Sequence, residues 1–261
     1  MRTNKYPFLI LLILNLFITT QSTFSQNYYN LNRFGNETAR FFKQPLKWDA
    51  NDWGKLGLVA ASTFLLTRID QPVRDEMFKD RSYIHSAPIE FGRMWGEIYP
   101  TAIIGGVFGL YGLVNNDKST KRIGFEIYQT AFYAGVITTI LKAVIGRARP
   151  FTNKGPNHYN PFSIFNDDFH SLPSGHSTLA FALSTALSQN IEQDYLKWLI
   201  YLPAVLTTFS RVYQDKHWTS DVFLGAAIGY FVGTWVHQQH EETDNSITVI
   251  PNDLITFRIS F

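Results

Sequence analysis

The chain has 261 residues, enough for one large domain with little room for a second. Its net charge of +2 is too near neutral to imply a nucleic-acid partner. Without cysteine it forms no disulfide, thiolate metal site or lipidated cysteine, so packing alone holds a core that draws on 45% hydrophobic residues.

Residues 1–25 form an export-signal pattern. Arg2 and Lys5 supply a positive start, Phe8 to Ile18 an apolar stretch, and Thr23-Phe24-Ser25 a small-residue cleavage site before Gln26. The run is short for a membrane crossing and Asn15 interrupts it, although an uncleaved anchor shares the pattern. Either reading sends the chain to or across a membrane. Residues 26–52 are a lead-in that mixes aromatics with charge, and Asn36 is placed to cap a short amphipathic helix reaching Lys43.

From 53 to 237, six apolar segments mix helix formers with β-branched residues and show no alternation: 53–67, 97–114, 124–146, 175–189, 195–209 and 219–237. They predict an all-α bundle of six helices. Small residues such as Gly105, Gly106 and Gly109, or Gly225, Ala226, Ala227 and Gly229, let helices approach closely, as in membrane bundles. The expectation is a membrane-embedded domain. A tightly packed soluble core is the alternative, because most runs fall short of the roughly 18 to 20 residues of a clear span. Lys118, Lys121 and Arg122 favour a cytoplasmic place for the 115–123 loop if its flanks cross a membrane. That leaves the site outside once 53–67 is taken as a helix that does not cross. Residues 151–172 form an aromatic loop of a length usual for functional covers. The tail, 238–261, ends in a predicted β-hairpin over 246–261, where Ile255, Phe257, Ile259 and Phe261 alternate with polar residues after a Pro251-Asn252-Asp253 turn.

Three separated clusters suit one phosphate. A phosphoryl group in transfer spreads charge over its equatorial oxygens, and fixed donors around it do most of the catalytic work. Lys142, Arg149 and Arg211 supply cations, and each arginine can pair two oxygens at once. Lys142 and Arg149 are seven apart, on one face if the helix continues as far as Pro150. Pro173-Ser174-Gly175-His176 opens a helix whose free N–H groups cradle an anion. Ser174 caps it and donates to an oxygen, Gly175 permits close approach, and His176 serves as general acid. His217 and Asp221 are four apart and face each other on a helix, so the carboxylate fixes one ring nitrogen and frees the other to attack phosphorus. Each cluster alone has a bland explanation: an arginine in interfacial water, a capped helix start, an i,i+4 surface pair. Their joint presence favours phosphoryl transfer. His85, His158 and His170 are too scattered for a zinc site, and His237 and His240 read as solvated.

Lys142-(six residues)-Arg149-Pro150, Pro173-Ser174-Gly175-His176 and Ser210-Arg211-(five residues)-His217-(three residues)-Asp221 together resemble the tripartite signature of the type 2 phosphatidic acid phosphatase (PAP2) superfamily. That superfamily includes lipid phosphatases, bacterial non-specific acid phosphatases and vanadium haloperoxidases. The resemblance covers about residues 53–237 and points to the lipid phosphatase branch. It implies a PAP2-type helical catalytic domain with His217 as a nucleophile forming phosphohistidine, Asp221 orienting it and His176 protonating the leaving group. It implies that Lys142, Arg149, Ser174, Gly175 and Arg211 hold the phosphate, with Ser210 helping to place Arg211. No metal or cofactor is expected, and vanadate is expected as a phosphate mimic or inhibitor. The expected activity is hydrolysis of a lipid phosphate or diphosphate (phosphatidate, polyprenyl diphosphate or lipid A type) at the periplasmic face of the inner membrane. A soluble periplasmic acid phosphatase and a vanadium haloperoxidase are the alternatives. No motif identifies the pocket for the lipid chain; the 151–172 loop and residues 26–50 are its candidate walls.

Overall fold

The structure, a computed structural model, describes Tyr29 and residues 31–248, with side chains as far as Glu242. The export signal and residues 249–261 of the predicted hairpin lie outside the described residues. The chain divides into two compact units, residues 1–46 and 47–261. In the first, helix α1 (Leu31–Lys43) starts well before the predicted cap and carries Asn36 inside it. Arg33 Nε donates to Glu37 Oε1 one turn on, at 2.7 Å, and the same guanidinium lies over the Tyr29 ring.

The second unit is all-helical among the described residues. Its elements are α2 (Ala50–Leu66), α3 (Asp70–Lys79), α4 (Ala87–Trp95), α5 (Ile98–Val114), α6 (Lys118–Ile145), α7 (Gly175–Ser188), α8 (Asp194–Leu199), α9 (Leu202–Tyr213) and α10 (Thr219–Thr248). Side-chain caps set several starts: Asp49 accepts from Asp52 N, Asp117 from Ser119 N and Thr120 N, and Ser174 from Ser177 N. Gly146 ends α6 in the left-handed region, at φ 61°.

Several expectations change. The 195–209 segment is two helices broken at Ile200–Tyr201, with Pro203 in the first turn of the second. Helices α3 and α4 were not predicted; α3 (DQPVRDEMFK) is too polar to show an apolar stripe. Helix α10 runs on through 238–248, so the first part of the expected tail, including the start of the predicted hairpin, is helix.

Helix α7 lies at the centre, with α10 packed along it and along α6, α5 against α6, and α9 against α4. A Cβ at Gly225 or Gly229 of α10 would stand 2.4 Å from the carbonyl oxygen of Ser174 or Thr178, so only glycine permits this approach. The interior is rich in small and polar side chains, with Thr130, Thr178, Ser184, Thr185 and Thr207 buried beside larger ones such as Tyr133, Leu183 and Trp218. Large apolar side chains turn outward instead: Leu58, Phe64 and Leu65 on α2, and Ile103, Val107, Leu110 and Val114 on α5. Among the described residues no single helix is long and apolar enough to cross a membrane; α4 and α5 reach that length and composition only as a pair bent by 63°.

Candidate active site

The three clusters converge on one cavity of about 370 Å³. Lys142, Arg149, Gly175, His176, Arg211 and His217 all line it, joined by Phe151, Asp167 and Lys216, which the sequence did not single out. Lys142 comes from the last turn of α6, and Gly175 and His176 from the first turn of α7. Arg211 comes from the end of α9, and His217 precedes α10. Arg149 is not on the Lys142 helix face as expected. Gly146 ends that helix first, and Arg149 reaches the cavity from extended backbone.

His217 is buried, and its geometry corrects the expected carboxylate–histidine pair. Its Nδ1 lies 2.8 Å from the Ser171 carbonyl oxygen, which can only accept, so Nδ1 carries the hydrogen and Nε2 is left with its lone pair. Nε2 faces Arg149, whose Nη1 is 3.4 Å away. Asp221 Oδ2 is 3.8 Å from Nδ1, beyond hydrogen-bond reach. The i,i+4 argument fails because α10 begins at Thr219 and His217 is outside it. Asp221 instead accepts from Arg147 Nη1 at 2.6 Å, from Trp218 N at 2.8 Å and from the Ser171 hydroxyl. It therefore fixes the backbone on both sides of the imidazole rather than the ring itself. Burial, and then the charges of Lys142, Arg149 and Arg211, hold the His217 imidazole well below its usual range, in the neutral form a nucleophile needs.

Arg147, fully buried, is the hub of this support. Besides Asp221 it donates to Ser220 Oγ at 2.7 Å, Asp70 Oδ2 at 2.7 Å and the Pro156 carbonyl at 2.8 Å. Asp70, from the start of α3, also accepts from the Ser220 backbone and hydroxyl. Nothing in the spacing of Arg147 marked it apart from Arg149, two residues on.

The cavity cations are positioned by oxygens. Arg149 donates to the Asp167 carbonyl and carboxylate and to the Lys216 carbonyl. Lys142 Nζ donates to the His170 carbonyl. Its ammonium is lowered to about 7 by burial and by Arg149. Arg211 Nη1 donates to Gln214, while its buried Nε has no hydrogen-bond partner among the described residues; burial and Arg149 lower it to about 10. An anion among these three would offset both the burial and the mutual repulsion. Ser174 caps α7 as expected but does not line the cavity. Its hydroxyl is buried in the α7 cap with Ser177, so the parts of this motif that face the cavity are Gly175 and His176. Ser210 bonds the Ile89 carbonyl and so seats α9 on α4, which places Arg211 as expected.

A second cavity of about 650 Å³ shares Lys142, Gly175 and His176 with the first. The rest of its wall is mostly apolar, including Ala131, Phe132, Val136 and Ile140 of α6 and Leu179 of α7. The 151–172 loop contributes nothing to it; that loop delivers Phe151 and Asp167 to the first cavity and the Ser171 carbonyl to the His217 ring. Among the described residues no group of three or more His, Asp or Glu is arranged to hold a metal ion. His237 and His240, expected to be solvated, lie on the continued α10 with Nδ1 at 3.2 and 3.4 Å from Glu126 of α6.

Residues 127–244 match the family model of the PAP2 superfamily. The chain is 34% identical over 109 residues to a lipid A 1-phosphatase of Rhizobium etli, a stretch covering 41% of this chain and 46% of that protein. It is 31% identical over 123 residues to an undecaprenyl-diphosphatase of Sulfolobus acidocaldarius, covering 46% and 54%. The chain thus spans about half the length of the curated relatives it matches. The crystal structure of Aquifex aeolicus LpxE superposes with a TM-score of 0.48 and 22% identity over 65% of this chain and 95% of that one.

Proposed function

We propose that this chain, with its PAP2-superfamily segment at 127–244, hydrolyses a lipid phosphate or diphosphate in the cell envelope, at the outer face of the inner membrane. The observation that carries the reading is the junction of the two cavities at Lys142, Gly175 and His176. One is lined by Lys142, Arg149, Arg211 and Lys216 and by two imidazoles, and the other is an apolar groove of a size suited to a hydrocarbon chain. The outward apolar faces of α2 and α5, around a small-residue interior, support a place in lipid. The names of the curated relatives support the same substrate class.

Arg149, Arg211, Lys142 and the α7 N-terminus hold the phosphate oxygens. The Nε2 lone pair of His217 forms a bond to phosphorus as the bond to the lipid oxygen breaks. His176 gives a proton to that oxygen, and the lipid alcohol or monophosphate leaves. Water then attacks the phosphohistidine, its proton passes to His176, and phosphate departs with the imidazole restored. No step calls on a metal.

The test is a substrate series. The purified protein is expected to release phosphate from long-chain phosphatidate or polyprenyl diphosphate with kcat/KM at least about 10-fold above that for a dibutyryl analogue. A Cβ at Gly135 in the groove wall would meet nothing within 4 Å, so Gly135→Leu can project into the groove and is expected to erase that preference. Equal rates on long and short chains, or no release from any lipid, would overturn the reading.

A further inference from the structure

Beside the cavity, Glu97 stands in the break between α4 and α5 with Oε1 3.3 Å from His176 Nε2. It belongs to none of the three sequence clusters. Gly96 lets the chain pass directly against His176; a Cβ there would sit 2.8 Å from the His176 Cβ and carbonyl oxygen. The carboxylate is itself held, since Arg93 Nη1 donates to the same oxygen at 3.0 Å. Arg93 Nε in turn bonds Glu90, Glu90 accepts from Gln214, and Gln214 accepts from Arg211. One chain of contacts therefore runs from the proton donor to a phosphate-holding arginine.

Resting on the hydrolytic reading above, we propose that Glu97 is a positioning residue for His176, holding one ring N–H so that the imidazolium presents its other N–H to the leaving oxygen. The need for it follows from the surroundings. Arg93 of α4, Lys142 of α6, Arg149 on the following segment, Arg211 of α9 and His217 all place positive or potentially positive charge near His176. Burial, with Arg211 and Arg149 of the cavity, holds His176 below its usual range, and Glu97 is the group that offsets part of that fall. Glu90, the other carboxylate on that side, is engaged by Arg93 and Gln214. Without Glu97 the ring would hold its proton less readily still, and less of the enzyme could protonate the leaving lipid oxygen.

Glu97→Gln keeps the size and removes the charge. On a lipid phosphate, kcat is expected to fall about 10²-fold with KM little changed, the scale of lost general-acid assistance. On nitrophenyl phosphate, whose leaving group needs no proton, the loss is expected to be under about 5-fold. The basic limb of the kcat–pH profile moves to lower pH, and Glu97→Asp restores part of the rate. Equal losses on both substrates with an unmoved limb would overturn the proposal. A second readout does not depend on turnover: the His176 titration followed by NMR of histidine-labelled protein. Its midpoint should drop in Glu97→Gln, and an unchanged midpoint would overturn the proposal even if no phosphatase activity were found. A wild-type enzyme that cleaves no phosphate ester, with a midpoint that does drop, would instead sink the hydrolytic reading alone.

Discussion

Replacing His217 with alanine is expected to lower kcat by about 10⁴- to 10⁶-fold, the range seen when an enzyme loses its attacking group. Phosphate binding, measured by calorimetric titration, should change little, because Lys142, Arg149 and Arg211 stay in place. The fold should survive as well, since the ring makes one short hydrogen bond to the backbone, that to Ser171. The pH dependence follows from the same environment. His217 is lowered, so its neutral form persists below the ordinary imidazole value of about 6.5, and the acid limb of kcat/KM is expected below that point. The basic limb belongs to His176, and Lys142, lowered to about 7, loses its charge above neutrality, which adds a second fall there and keeps the optimum on the acid side. Lys142→Arg should remove that second fall and leave the His176 limb in place. Stability has a matching sign. A histidine lowered in the folded state binds its proton more readily when unfolded, so its contribution is present above about 6.5 and is lost as pH falls through that value.

The second large effect is structural. Arg147→Met leaves Asp70 and Asp221, both buried, without their shared cation. Breaking such a network by removing one partner typically costs about 3–5 kcal/mol. For a unit of this size that corresponds to a fall in Tm on the order of 10 °C. Asp70→Asn in the Arg147→Met background should cost much less than Asp70→Asn alone, because the two act through one interaction. Activity is expected to fall too, although Arg147 does not line the cavity. Asp221 would be free to move, and with it Ser171 and Trp218, which frame His217. Thermal unfolding with both single variants and the pair checks the coupling; strictly additive losses would contradict it.

How far these features were legible in the sequence depends on whether they are local. The α7 cap and the Gly175-His176 start were readable because Ser174 and Ser177 interact within one turn. The six cavity residues named from the motifs do meet, since each motif fixes a helix end and the bundle brings those ends together. The His217–Asp221 pair was misread because spacing implies a shared helix face only inside a helix, and the helix starts after His217. Arg147 bonds partners 74 and 77 positions away, and Glu97 meets His176 across the bundle. No periodicity carries such distances. The apolar groove was invisible for a related reason: Ala131, Gly135 and Val136 look like any other packing surface until α5 and α7 are placed beside them. The end of α6 lies within a residue of the expected 146; it is the conditional continuation to Pro150 that fails, because Gly146 stops the helix in the left-handed region.

Rapid quenching into alkali of the protein mixed with a lipid phosphate labelled in its phosphoryl group bears most directly on His217 as nucleophile. The label should remain on the protein, stable to base and released by acid, and peptide mapping should place it on Nε2 of His217, with none in His217→Ala. Turnover at full rate with no protein-bound phosphate, or label on any other residue, would contradict it.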